Sequence, residues 1–440
     1  MEQAMPNQKI SAENAETAEN RPTPEKRKTP PAFARQLMDY EDALHLCLDA
    51  VKQPIPMESV CLTDSIGRVL RQEVESPMAV PPFAKSTMDG YAVKAVDVNG
   101  ATEAAPVRLK VVDYVHAGGM SGKVLKTGEA IKIMTGAAVP EGADAVIKIE
   151  QTIAKDEHTI DVLDGVGDND YIITKGQDIL PGNVVATGGK TIDAMMMGVV
   201  AGCGVPSVSV SQKPEVGIIS TGSELVPPGR PLGAGQIYDI NGYMLFGLTS
   251  SAGCSVSLLG AVQDKSDDLL RLLSRNTQKN ILLLSGGVSV GDYDIVHETL
   301  QRAGVEEIFW RVRVKPGKPL FFGRMGQTLI FGLPGNPVSA ATNFFLFVRP
   351  VIDKMLGRKA WGLNTGTAFL SNSRIIRPGR RKFLKGKFVR EASAKPLVWI
   401  IPEQRSGVFS PMTGAEVLIE VPEEINSLKK GDQVKIHYLP

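Results

Sequence analysis

The run NILLLSGG, Asn280 to Gly287, sets the fold: a short apolar stretch that ends abruptly in serine and two glycines. Four consecutive aliphatic residues without polar alternation fit a strand covered on both faces, and the glycines mark a turn at its carboxyl end. Outward from it, EVGIIS (215–220) and SVSLLGAVQ (255–263) have the same texture. Between these strands the spacing predicts one helix capped by Asn241 and another opened by Ser266-Asp267-Asp268. PVSAATNFFLFVRPVIDKML (337–356) predicts a long helix closing the unit. Strands alternating with helices imply βαβ units and a parallel sheet with helices on both sides.

The flanks read differently. Ala43, Leu44, Cys47, Leu48 and Val51 recur at helical spacing, with Pro54 and Pro56 as a stop. VRLKVVDYV, AIKIMTGA and DAVIKIEQT make residues 85–172 β-rich. TIDAMMMGVVAGCGV (191–205) predicts a buried helix with Thr191 as its N-cap. GKFVR, PLVWIIP, AEVLIEVP and DQVKIHYL predict a small all-β C-terminal unit. The expected division is a disordered N-terminal extension over 1–34, a discontinuous helical linker domain (35–84 with 173–213) and an inserted β-rich domain (85–172). An α/β domain (214–358) and a C-terminal β domain (359–440) follow.

Composition excludes several functions. A net charge of +1 and 6% aromatic residues give no basis for a nucleic-acid surface. Cys47, Cys61, Cys203 and Cys254 form no CxxC pair and have no histidine at metal-ligand spacing, so they read as free thiols in a reducing compartment. No segment approaches the ~20 apolar residues of a membrane helix. The Glu-, Asn- and Pro-rich N-terminus lacks the apolar core of a signal peptide. A cytoplasmic protein with no membrane partner is expected.

In a parallel α/β sheet, ligands bind where strands run into helices. Three loops fall there: Ser220-Thr221-Gly222-Ser223-Glu224, Ser285 to Asp294 with Gly286, Gly287 and Ser289, and Leu333 to Ser339 with Asn336 before Pro337. Glycines let amides converge on an anion, and a helix starting at Pro337 adds its N-terminus. Lys315 and Lys318, in KPGKP, supply fixed positive charge. Glu224, Asp264 and Asp294 stand at or just beyond three strand ends, and carboxylates beside an anion site fit a shared Mg²⁺. PPFAKSTMDGYA (81–92) and MTGA (134–137) carry no chemistry by spacing alone.

These strings, in this order, resemble the molybdopterin molybdenumtransferase family, the MoeA-type proteins and the E domain of gephyrin. The motifs are PPFxxSxMDGYA, MTGAxxPxGADAV, STGxEL, GQIYDxN, SGGVSVGxxD, KPGKP and LPGNPVSA, spread from about residue 37 to the C-terminus. The resemblance implies a multidomain α/β plus β protein: a molybdopterin-binding α/β domain, an inserted β-rich domain, a linker domain and a C-terminal β-barrel-like domain. It implies a homodimer in which the partner's second domain completes the pterin site. It implies Mg²⁺-dependent cleavage of adenylylated molybdopterin, transfer of molybdate to the dithiolene, and release of AMP and molybdenum cofactor.

By the same resemblance Glu224, Asp264 and Asp294 hold Mg²⁺, and Asp89 and Thr135 act from the N-terminal half. Gly222, Ser285, Gly286, Gly287, Ser289 and Asn336 bind the pterin substrate. Lys315, Lys318, Ser339 and Arg311 form a basic pocket for molybdate and the pterin phosphate, with Arg380 and Ser406 reaching in from the C-terminal domain. A molybdopterin adenylyltransferase and molybdoenzyme acceptors are the implied partners. The sequence departs from the family pattern at Ala84-Lys85, Ser223 and Arg405. The rival readings are an adenylyltransferase, a molybdopterin-binding scaffold and a tungstate-handling paralogue. A stand-alone adenylyltransferase needs neither the PPF–MDGYA half nor the C-terminal β domain.

Overall fold

The computed structural model describes residues 37–262, 266–287, 293–390 and 395–440, so the expected N-terminal extension lies outside the described residues. Its centre is a six-stranded sheet in the order Ser255–Val262, Glu215–Thr221, Ile281–Ser285, Thr328–Leu333, Phe321–Met325, Glu306–Trp310. The first four strands are mutually parallel. Phe321–Met325 alone runs antiparallel to its neighbours, because Gly326 and Gln327 fold it back tightly onto Thr328–Leu333. The NILLLSGG strand shows why an unbroken apolar run is required: Ile281 and Leu283 enter one core, Leu282 and Leu284 the other. Register keeps the faces aligned, with Ile218, Leu283 and Phe331 side by side. Each fully buried aliphatic side chain contributes roughly 2 kcal/mol.

Helix Ile240–Ser251 and the helical stretch Pro337–Met355 cover one face. Ser266–Arg275 and Tyr293–Arg302 cover the other. The cap of Ile240–Ser251 differs from expectation. Asp239 caps it, accepting from the Gly242 amide at 2.8 Å, and Asn241 sits inside the first turn. An aspartate two residues earlier has the extended backbone a cap needs, and its carboxylate is the stronger acceptor.

The N-terminal half holds a second six-stranded sheet, Ala145–Lys148, Gly90–Val93, Glu129–Ile133, Val107–Val115, Thr159–Val162, Thr152–Asp156, with its own apolar layer on each face. Met57–Cys61 pairs with Ser207–Ser211, tying distant parts of the chain into the linker region. The helix in 191–205 spans Ala194–Gly202 and is capped by Asp193, which accepts from the Met196 amide, not by Thr191. Nor is it buried: Met195 is 77% exposed, and only Val200 of the helix is buried. Apolarity all round a helix does not distinguish burial within one chain from burial against another.

After Gly357 the chain makes a closed five-stranded barrel: Arg381–Phe388, Leu397–Ile400, Thr365–Leu370, Gln433–Tyr438, Val417–Val421 and back to Arg381–Phe388. It is seated on the α/β domain by a short parallel ladder, Val314 opposite Arg381 and Lys315 opposite Lys382. Arg381 reinforces the joint through Glu41, Glu420 and Glu423 and lies 5.4 Å above the Tyr40 ring. No helix among the described residues is long and apolar enough to cross a membrane.

Candidate active site

Two clefts meet at the carboxyl edge of the central sheet. The first, about 550 Å³, is lined by the ends of Glu215–Thr221 and Ile281–Ser285, the loop before Pro337, and the start of helix Ile240–Ser251. Its shape depends on glycine. Gly222 has φ +149°, and a Cβ there would lie 2.6 Å from a Glu224 carboxylate oxygen. Gly286 has φ +97°, and a Cβ there would collide with the Thr221 carbonyl oxygen. Both tight turns at the cleft wall therefore require glycine.

Polar groups in this cleft are held but incompletely used. Asp239 Oδ2 accepts from Ser220 Oγ at 2.6 Å while Oδ1 caps the helix. Asn241 Nδ2 donates to the Gly335 carbonyl at 2.8 Å, fixing the loop that leads to Asn336. Asn241 Oδ1 and Ser285 Oγ are buried with no hydrogen-bond partner among the described residues. Buried polar atoms are nearly always paired, so two orphans in one cleft point to a ligand that completes them.

The second cleft, about 930 Å³, lies between the Lys315–Pro319 turn and the barrel. Asn343, fully buried, donates from Nδ2 to the Gly317 carbonyl at 3.0 Å and the Pro319 carbonyl at 3.2 Å. Gly317, at φ +110°, packs against the same side chain with no room for a Cβ. Lys315 and Lys318 thus project from a braced turn. Arg374, Arg377, Arg380, Lys382 and Arg405 face them from the barrel side, giving seven basic side chains against one acid, Glu403. Arg405 chelates that acid, and their hydrogen bonds hold the Glu403 carboxyl at about 2. Such a concentration of one sign in a concave site attracts anions.

The clefts share Asn336 and Gly407. Asn336 has extended backbone and precedes Pro337 at the helix start, and its side chain makes no cap bond. The Ser406 carbonyl accepts from the Val338 amide at 3.3 Å, so one amide of that helix N-terminus is already taken by the chain.

Three family models match the chain: "MoeA N-terminal region (domain I and II)" over 38–204, "Probable molybdopterin binding domain" over 217–354 and "MoeA C-terminal region (domain IV)" over 367–439. The molybdopterin molybdenumtransferase of Haemophilus influenzae is 31% identical over 402 residues, covering 91% of this chain and 98% of the relative. That of Bacillus subtilis is 37% identical over 305 residues, covering 68% and 70%. The chain belongs to the molybdopterin molybdenumtransferase family. This is a family of transferases in molybdenum cofactor biosynthesis. A solved molybdopterin biosynthesis MoeA protein from Pyrococcus horikosii superposes with TM-score 0.76 at 33% identity, covering 92% of this chain and 99% of that one.

Against this family frame, the residues singled out in the sequence distribute unevenly. Gly222, Glu224, Ser285, Gly286, Gly287 and Asn336 line the first cleft. Lys315, Lys318, Ser339, Arg380 and Ser406 line the second, together with Asn336. Arg311 lines neither; it sits at φ +84° in the strand-to-turn link before Lys315. Asp89 and Thr135 meet each other but neither cleft. The Thr135 amide and hydroxyl both donate to Asp89 Oδ1 at 2.7 Å, and first the amide, then the hydroxyl, hold this exposed carboxyl below its ordinary value. Asp264 and Ser289 lie outside the described residues; Asp294 falls in helix Tyr293–Arg302, with its side chain likewise outside them.

Among the described residues no group of three or more His, Cys, Asp or Glu is placed to hold a metal ion. The donor chemistry nonetheless suits a hard cation: the Glu224 carboxylate shares the first cleft with the unpaired amide oxygen of Asn241 and hydroxyl of Ser285. Sequence reasoning missed Asp239, Asn343, Arg374, Arg377 and Lys382. The triple base Arg380-Arg381-Lys382 was the available signal for the last of these.

Proposed function

We propose that this chain inserts molybdenum into molybdopterin: it takes adenylylated molybdopterin across the two clefts and molybdate in the basic one, and releases AMP and molybdenum cofactor. The observation that carries this reading is the sharing of Asn336 and Gly407 by a carboxylate-bearing, glycine-walled cleft and a cleft with seven cations. A phosphoanhydride and an oxyanion are both anionic, and fixed cations in a recessed site offset their repulsion.

In this reading Lys315, Lys318, Arg380 and Ser339 orient molybdate and the pterin phosphate, while the glycine turns at Gly222 and Gly286 admit the adenylate. Water adds to the phosphoanhydride phosphorus, the bridging P–O bond breaks, and AMP departs with the electron pair. The two dithiolene thiols then form Mo–S bonds to molybdate held beside them, one oxo ligand leaves as water with the two thiol protons, and proximity supplies much of the rate. Magnesium, held by Glu224 with Asp264 and Asp294, would neutralise phosphoryl charge as a Lewis acid. The exposed apolar side chains of helix Ala194–Gly202 favour a homodimer, which would bring the Asp89–Thr135 pair of one subunit to a cleft of the other. A molybdopterin adenylyltransferase upstream and molybdoenzyme acceptors downstream follow as partners of a cytoplasmic enzyme.

The test is a single-turnover reaction with adenylylated molybdopterin, Mg²⁺ and molybdate, following AMP release and reconstitution of a cofactor-free molybdoenzyme. Both should occur with the wild-type chain and be suppressed by Asp294→Asn. Pterin binding without AMP release would overturn the insertase reading.

A further inference from the structure

Lys382 is 5% exposed, yet it lines the basic cleft. Its backbone is fixed twice, by the ladder to Lys315 and by the antiparallel pairing to Val421 inside the barrel. Its ammonium donates to the Arg380 carbonyl at 3.0 Å, which spends one of three N–H groups. The charges facing it from the elements packed around it are Lys315 across the ladder, Arg380 before it and Glu423 beyond the neighbouring strand. Glu423 is already engaged by Arg381 at 3.3 Å. A buried ammonium crowded by two other cations, with its nearest acid paired elsewhere, is an arrangement the fold keeps against electrostatic cost.

We propose that Lys382 determines charge specificity at the oxyanion end of the cleft, forming with Lys315 and Arg380 a triangle of cations that selects a tetrahedral dianion over a monoanion. This rests on the oxyanion reading of the cleft given above. A dianion among the three cations gains about twice the Coulomb attraction of a monoanion of the same shape, so charge rather than size is discriminated. Burial first, then Lys315 and Arg380, lower the Lys382 pKa, so its charge is lost at a lower pH than that of an ordinary lysine. Arginine at the same place keeps its charge throughout.

The experiment is calorimetric binding of molybdate, sulfate and perchlorate to the full chain and to Lys382→Met and Lys382→Arg, from pH 6.5 to 9.5. In the wild type, molybdate and sulfate should bind at least ~10-fold more tightly than perchlorate, and this preference should fall as pH rises. Lys382→Met should lose ~10-fold in dianion affinity with perchlorate within about threefold, while Lys382→Arg keeps the preference and flattens its pH profile; one lost contact of this kind is worth about a decade. Dianion binding by Lys382→Met within twofold of wild type would overturn the proposal and leave the cleft reading intact. Failure of Lys382→Arg to keep the preference while remaining folded would overturn it too. A wild-type chain that binds neither dianion would instead overturn the oxyanion reading itself.

Discussion

The two clefts that meet at Asn336 and Gly407 are built from different materials. One is made of backbone, with glycines at strand ends, two orphaned polar atoms and two carboxylates, Glu224 and the hydrogen-bonded Asp239. The other is made of side chains, seven cations carried on a braced turn and on a barrel contributed by a separate part of the chain. Backbone surfaces recognise shape and admit close approach; long cationic side chains recognise charge. The difference implies that the two should fail separately.

Glu224→Gln should produce the largest effect, about a 10²–10³-fold loss in the rate of AMP release, corresponding to ~3–4 kcal/mol of transition-state stabilisation. The molybdate concentration giving half-maximal rate should stay within about threefold, since the cationic cleft is untouched. An equal shift in molybdate dependence would show that the clefts act as one site and break the contrast. Lys315→Ala should do the converse. A ~30-fold rise in that half-maximal concentration, about 2 kcal/mol, is expected with the saturated rate nearly unchanged, as measured by titrating molybdate in the same assay.

The smallest effect concerns how the barrel is seated. Burial pulls the Glu420 carboxyl upward, but its bonds to His437 and Lys435 outweigh that and hold it at about 2, below its ordinary 4.5. A depressed folded value means this stabilisation is fully present above about pH 4.5 and is lost as pH falls towards 2. Glu420→Gln should therefore lower stability by about 1 kcal/mol at pH 7, a figure reduced because Lys435 is half exposed, and by much less at pH 3. Thermal unfolding at both pH values checks this. A deficit equal at the two would assign the loss to packing rather than charge.

The contrast also explains what could be seen in the sequence. The backbone cleft was legible because its determinants are local: Ile281 to Leu284 must be apolar to enter two cores, and glycine must follow them. The cationic cleft was half legible. Lys315 and Lys318 stand out in a rigid turn, but Arg374 and Arg377 become neighbours of that turn only when a barrel closes some sixty residues further along. Nothing periodic marks them. Asp239 was overlooked as a cap because asparagine and aspartate both suit that role, and only backbone conformation distinguishes them. Helix Ala194–Gly202 is exposed where burial was expected because composition reports how much apolar surface a helix has, not whether the rest of its chain covers it.

The ladder pairing Val314 and Lys315 with Arg381 and Lys382 has a consequence for biosynthesis of the chain itself. Ribosomes deliver the α/β domain before the barrel, and its sheet is complete once Leu333 has emerged. The barrel closes only when Gln433–Tyr438, the last of its five strands in chain order, slots between Thr365–Leu370 and Val417–Val421. A nascent chain therefore carries the glycine walls at Gly222 and Gly286 before it carries the cationic cleft, and a chain lost to premature termination has no complete trap in which to sequester scarce oxyanion.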